Sequence, residues 1–253
     1  MGKIISVSNQ KGGVGKTTTT VNVASFLADK GKKILIIDID PQGNAGYGIG
    51  INAEEMETTI YEVLIDEIPI EEAIFKTEIE NLFIIPSNIH LSGAQMDLLD
   101  AEGKEFILKK KLASIKNYYD YIFIDCPPSL GILTLNSLVA ADSVLIPLQC
   151  EYYALEGINQ LLRIIVMVQE NLNRALKIEG VVLTMYDTRT NLSQQVVSDV
   201  REYFQNKVFS SIIPRNVKLS EAPSFGKPIG LYDKTCPGSV TYEKLAEEVL
   251  NNE

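Results

Sequence analysis

Residues 10–18 read Gln-Lys-Gly-Gly-Val-Gly-Lys-Thr-Thr, and what flanks them fixes the kind of fold this chain can adopt. Ahead lies an apolar run, Ile4 to Ser8, which predicts a buried strand. Behind lie Val21, Ala24, Phe26, Leu27 and Ala28, spaced for a helix over 17–30. A strand, a glycine-rich turn and a helix are the setting in which a loop can wrap a phosphate chain. Gly12, Gly13 and Gly15 are expected to adopt backbone angles closed to other residues, so that the N–H groups of Gly12 to Thr18, Val14 among them, turn inward on phosphate oxygens. The start of the helix adds its partial positive charge. Lys16 would reach the β- and γ-phosphates, and the Thr17 hydroxyl would hold Mg²⁺.

Short apolar runs recur along the chain: 33–38, 82–86, 121–125, 143–148, 178–184 and 208–213. Helical patterns separate them, so the expected fold is α/β: a three-layer P-loop architecture whose mostly parallel sheet carries helices on both faces. With 253 residues, 45% of them hydrophobic, the chain can bury one sizeable core, and residues 1–253 are expected to form one domain.

Two apolar strands end in carboxylates. Ile34 to Ile37 runs into Asp38-Ile-Asp40-Pro41, and Tyr121 to Ile124 runs into Asp125. At the C-terminal ends of parallel strands such groups line the ligand crevice. Alternation along an extended strand would point Asp38 and Asp40 the same way, with Pro41 as the stop. Asp125 would hold Mg²⁺ through water, since this ion dehydrates reluctantly.

The general phosphate-loop pattern has glycine where this chain has Gln10, and a second lysine, Lys11, follows. The segment instead matches the variant K-G-G-x-G-K-[ST]-[ST], called the deviant Walker A loop. Together with Asp38 to Asn44, Asp125 to Gly131, Gln149 to Leu155 and Ile213 to Ser224, it resembles the chromosomal ParA/Soj partition ATPases over nearly the whole length. That resemblance implies ATP and Mg²⁺ as cofactors and a homodimer closed around two ATP molecules. It makes Lys11 a residue that crosses to the partner's nucleotide, as an arginine finger does. It implies that Asp40 orients the attacking water, that Asp38 supports the metal's water shell, and that Pro214, Arg215 and Asn216 lie against the adenine. Asn216 carries the donor and acceptor that an adenine edge requires.

The family also implies non-specific binding to duplex DNA, a ParB-type partner that speeds hydrolysis, and a cytoplasmic, nucleoid-associated location. The net charge of −10 leaves room only for a local cationic patch; 174–234 holds nine Lys/Arg against six Asp/Glu. Arg189 and Lys218 are the leading DNA candidates, with Arg201, Arg215 and Lys227 behind them. At Lys218 the family more often has arginine, whose bidentate fork lysine lacks.

Relatives with other tasks share the loop. A MinD-like positioning ATPase wants a basic amphipathic C-terminal helix, whereas 242–253 is acidic and no run approaches ~18 apolar residues, so no membrane partner is expected. A metal-cluster carrier ATPase wants paired cysteines; Cys126, Cys150 and Cys236 have no such spacing and fit a reducing compartment. The N-terminus runs directly into the first strand, leaving no expected signal peptide or helix-turn-helix ahead of it. His90 has no nearby partner in sequence, Tyr152 and Tyr153 are expected near a dimer interface with Glu151, and the acidic stretch 54–80 reads as an amphipathic helical surface or a partner-binding face.

Overall fold

A computed structural model of the chain describes residues 2–98 and 101–252. Met1 and Glu253, the ends of the expected unit, therefore lie outside the described residues, as do Leu99 and Asp100. The strands are β1 (Lys3–Val7), β2 (Ile34–Asp38), β3 (Phe75–Lys76), β4 (Leu82–Ile85), β5 (Tyr121–Asp125), β6 (Ser143–Gln149), β7 (Lys177–Tyr186) and β8 (Val208–Pro214). They form a sheet in the order β3-β4-β2-β5-β1-β6-β7-β8. All neighbours are parallel except β3, which pairs antiparallel with β4 at the edge.

The helices are α1 (Lys16–Asp29), α2 (Asn44–Tyr47), α3 (Ile60–Leu64), α4 (Leu91–Asp97), α5 (Ile107–Leu112) and α6 (Ile132–Ala140). After them come α7 (Ala154–Asn171), α8 (Asn191–Phe204), α9 (Val217–Glu221), α10 (Ile229–Tyr232) and α11 (Pro237–Asn251). Period-two alternation on β2 divides the core between the two faces of the sheet. Leu35 and Ile37 join the side chains of α3 to α8, whereas Ile34 and Ile36 join those of α1 and α11. The expected α/β layering is what forms, because strands buried on both faces leave no polar side to face water.

The acidic stretch 54–80 departs from its expectation. It is broken into two 3₁₀ turns, the short helix α3 and the strand β3. Thr59 starts α3 afresh with a reciprocal cap to Glu62, and Asp66, at φ 68°, turns the chain out of it before Pro69. The helical period in the sequence was real only over five residues.

Candidate nucleotide site

β1 and β6 are neighbours, and the chain runs from β1 to β2 on one side of the sheet but from β6 to β7 on the other, so the two connections diverge and open a crevice at the C-terminal ends of these strands. The loop that leaves β1 fills that crevice. Gly13 and Gly15 have φ of 74° and 88°, the left-handed region where a Cβ is strained. Gly12 is different: its φ is not positive, and an added Cβ would meet only the Pro128 Cβ, at 3.8 Å. The expectation of forbidden angles at all three glycines therefore holds at two, and the third leaves open space in front of the loop. Thr184 of β7 steadies the loop by donating its hydroxyl to the Val14 carbonyl at 2.9 Å. From there α1 begins at Lys16, followed by Thr17 and Thr18 in its first turn.

Lys16 is buried, and its ammonium donates to the Lys11 carbonyl at 3.2 Å. Burial pushes it below its ordinary value, opposed chiefly by Asp125. Asp125 sits in register with Asp38 across the β2–β5 pair, and both are fully buried. The Thr17 hydroxyl donates to one Asp125 oxygen at 2.7 Å and the Thr20 hydroxyl to the other at 3.0 Å. Burial still pushes Asp125 up to about 6, against those two hydroxyls and Lys16. Asp38 is driven well above the usual carboxylate range by burial and then by the charge of Asp125.

Two adjoining buried carboxylates and a hydroxyl form the donor set that a small divalent cation would neutralise, so these residues fit Mg²⁺. No cluster of three His, Cys, Asp or Glu able to hold a metal exists among the described residues. Asp38 has a further duty: its two oxygens accept the backbone N–H groups of Asp40 and Ala45, each at 2.9 Å. β2 stops at Asp38, so the strand alternation expected to carry through to Asp40 does not; a hydrogen-bonded turn places Asp40 instead. Asp40 remains buried at the mouth of the site.

Lys11 points away from this cradle. Its side chain is 41% exposed and pairs with Glu151, which follows the end of β6. Asn9 fixes the backbone here, accepting from the Lys11 N–H at 3.0 Å while donating to the Pro147 carbonyl at 2.7 Å. Sequence patterns do not single out Asn9, Thr20 and Thr184, because each acts through a contact more than a hundred residues away along the chain. Tyr152 and Tyr153 stand exposed beside Glu151, against each other edge to face.

Pro214, Arg215 and Asn216 close β8 beside β7, with the Arg215 N–H donating to the Tyr186 carbonyl at 2.9 Å. The Asn216 side-chain oxygen caps α9 through the Lys218 N–H, which leaves its NH₂ as the group available to a base. The two DNA candidates lie beyond this loop, apart from the carboxylate cluster. The Arg189 guanidinium grips Asp187 at 2.9 and 2.7 Å, and Lys218 pairs with Glu221 at 3.0 Å. Arg189 and its own N–H hold Asp187 well below the carboxylate range, with Arg215 adding to the effect. Arg201, Arg215 and Lys227 make no ion pair among the described residues, and all three are exposed.

Fold and loop together define a P-loop nucleotide-binding α/β protein. A family model described as an AAA domain matches residues 2–178. The sporulation initiation inhibitor protein Soj of Bacillus subtilis (strain 168) is 55% identical over 252 residues, with both chains covered in full. The chromosome partitioning protein ParA of Myxococcus xanthus (strain DK1622) is 53% identical over 253 residues, covering 100% of this chain and 89% of that one. Among solved structures, cobyrinic acid a,c-diamide synthase from Mycobacterium smegmatis, with bound ADP and magnesium, superposes with a TM-score of 0.87 at 36% identity, covering 99% of this chain and 95% of that one. The chain belongs to the ParA/Soj family of chromosome-partitioning ATPases.

Proposed function

We propose that this chain works as one domain, residues 1–253, and is an ATP-dependent dimerising switch that binds DNA non-specifically, hydrolyses ATP slowly and so drives segregation of chromosome origins with a ParB-type partner. The observation that carries this reading is the opposite disposition of the loop's two lysines: Lys16 is buried among Asp125 and Asp40, while Lys11 is turned outward to an exposed face. An outward lysine in a phosphate loop serves a second nucleotide better than its own. Thr17, Asp38 and Asp125 would hold Mg²⁺, and the ion would draw charge from the β- and γ-phosphates. The N–H groups of Gly12 to Thr18 cradle the phosphates, Pro214 to Asn216 meet the base, and Asp40 orients water for attack. Arg189 and Lys218 contact phosphates of duplex DNA.

A membrane-positioning task is disfavoured by α11. Its apolar residues Tyr242, Leu245, Ala246 and Val249 are buried against the core, so that face is unavailable to lipid. No helix among the described residues is long and apolar enough to cross a membrane. Nucleoid association in the cytoplasm follows from the DNA reading. Light scattering with ADP, with ATP, and with ATP plus duplex DNA tests the proposal, on the parent and on Asp40→Ala. A dimer seen only with ATP, persisting in Asp40→Ala and loading on DNA, is expected. A monomer indifferent to ATP would end the switch reading.

A further inference from the structure

Gln10 stands where the general phosphate loop has glycine, and the structure shows what the replacement does. Its backbone is not in the left-handed region, so a side chain is admitted without strain. The side-chain NH₂ donates to the Gly157 carbonyl in the first turns of α7, joining the loop to a helix 147 residues further along. Asn9 ties the preceding residue to β6. Lys11 therefore leaves the loop between two anchors, one on β6 and one on α7, and its ammonium lies against Glu151 in the segment that connects those two elements. The Gln10 oxygen is buried with no partner. The side chain is thus held by its single donor bond, and turning the amide over would set two carbonyl oxygens against each other. Beside it, Lys11, Pro128, Ser129, Leu130 and Tyr153 line an open cavity of about 650 Å³ on the face to which Lys11 points.

We propose that Gln10 is a positioning residue for Lys11: by tying the loop to α7 it keeps the lysine outside its own phosphate cradle and aimed at a second subunit. This rests on the crossing role assigned to Lys11 above. A glycine at this position would leave the loop free of α7, and Lys11 could then turn back towards the phosphates already held by Lys16. Gln10 touches no reacting atom; its effect passes through the lysine and shows only where two subunits meet.

The test compares Gln10→Gly, Gln10→Asn and Lys11→Ala with the parent protein in three measurements. These are melting temperature, ADP affinity of the single subunit, and the protein concentration giving half-maximal dimer with ATP. Gln10→Gly is expected to keep ADP affinity and to lower the melting temperature by only about 2–4 °C, the loss of one bond within the subunit, while raising that concentration about fivefold to tenfold. Gln10→Asn, one methylene short of Gly157, should behave like Gln10→Gly. Equal losses in ADP affinity and dimerisation would reduce Gln10 to a brace for the whole loop and overturn the proposal. So would a parent-like Gln10→Asn. If Lys11→Ala dimerises like the parent, the crossing role itself fails, and the proposal with it; that result is read from Lys11→Ala alone. If Lys11→Ala loses the dimer and Gln10→Gly does not, only the positioning role falls.

Discussion

The charges at the ends of β2 and β5 and those on the loops before α8 and in α9 are organised in opposite ways. Asp38 and Asp125 are buried and tied to backbone N–H groups and threonine hydroxyls, so their positions are set before any ligand arrives. Arg189, 82% exposed, is held by Asp187 two residues away, and Lys218 by Glu221 three residues away and by the face of the Tyr232 ring. Surface pairs of that kind are weak and are screened by salt. A DNA phosphate can therefore replace Asp187 or Glu221 at little loss, whereas the buried pair must be met by a cation of fixed size. Under the proposed function the chemistry falls to the buried carboxylates, and sequence-indifferent attachment to the exposed groups whose ion pairs exchange easily.

That contrast can be broken first at Asp40. Asp40→Ala should lower ATP turnover by roughly 10²-fold or more while leaving the ATP dimer intact, since it removes the group proposed to orient the reacting water and, besides that, one bond from the Gln42 N–H at 3.0 Å. Steady-state phosphate release and light scattering together check this, and a joint loss of both would make Asp40 a structural residue of the turn.

Next in size is the proposed DNA surface. Arg189→Glu should weaken binding to duplex DNA about tenfold and lower the salt slope by about one. Asp187→Asn should act in the opposite sense by releasing Arg189. Fluorescence anisotropy across a salt series reads both, and identical slopes in all three proteins would remove Arg189 from the interface.

Sharper still is a pH test of the buried end. The Asp125 carboxyl titrates at about 6 in the folded protein, against roughly 3.9 for an unfolded aspartate. A raised value means that the folded chain binds the proton more tightly. The destabilisation is therefore absent below about pH 4 and complete above about pH 6. Asp125→Asn should melt higher than the parent when nucleotide-free, with a larger gain at pH 7 than at pH 5 by calorimetry. A gain independent of pH would put the burial penalty elsewhere. The smallest effect is expected at Lys218: Lys218→Ala should reduce DNA affinity only about twofold to fivefold in the same anisotropy assay, because Glu221 already takes part of its charge.

Features legible in the sequence are those encoded locally. The loop, its flanking strand and helix, and the apolar strands ending at Asp38 and Asp125 all sit within one or two residues of where the patterns put them. What stayed hidden is fixed by partners far along the chain or by very short elements. β3 has two residues, too few for any period to register. The pairing of Lys11 with Glu151 joins positions 140 apart, and no spacing rule could have found it. Nothing in the sequence distinguishes Thr20 from its neighbouring threonines, whereas the fold sets it against Asp125 of β5. The Arg189–Asp187 grip was within reach, two residues apart, yet a loop's sequence does not say which way either side chain turns.

The place of β1 in the sheet bears on how the protein is made. Lys3 aligns with Tyr121 on one side and Ile5 with Ser143 on the other, so both neighbours of this strand are synthesised more than a hundred residues after it. A nascent chain thus leaves the ribosome with its phosphate loop complete in sequence but without a sheet to hold it. Closing such long-range pairings is slow. Until residues near 125 have emerged β1 has no strand to pair with, and until those near 149 have emerged it lacks its second neighbour, so the loop is held in full only late in synthesis.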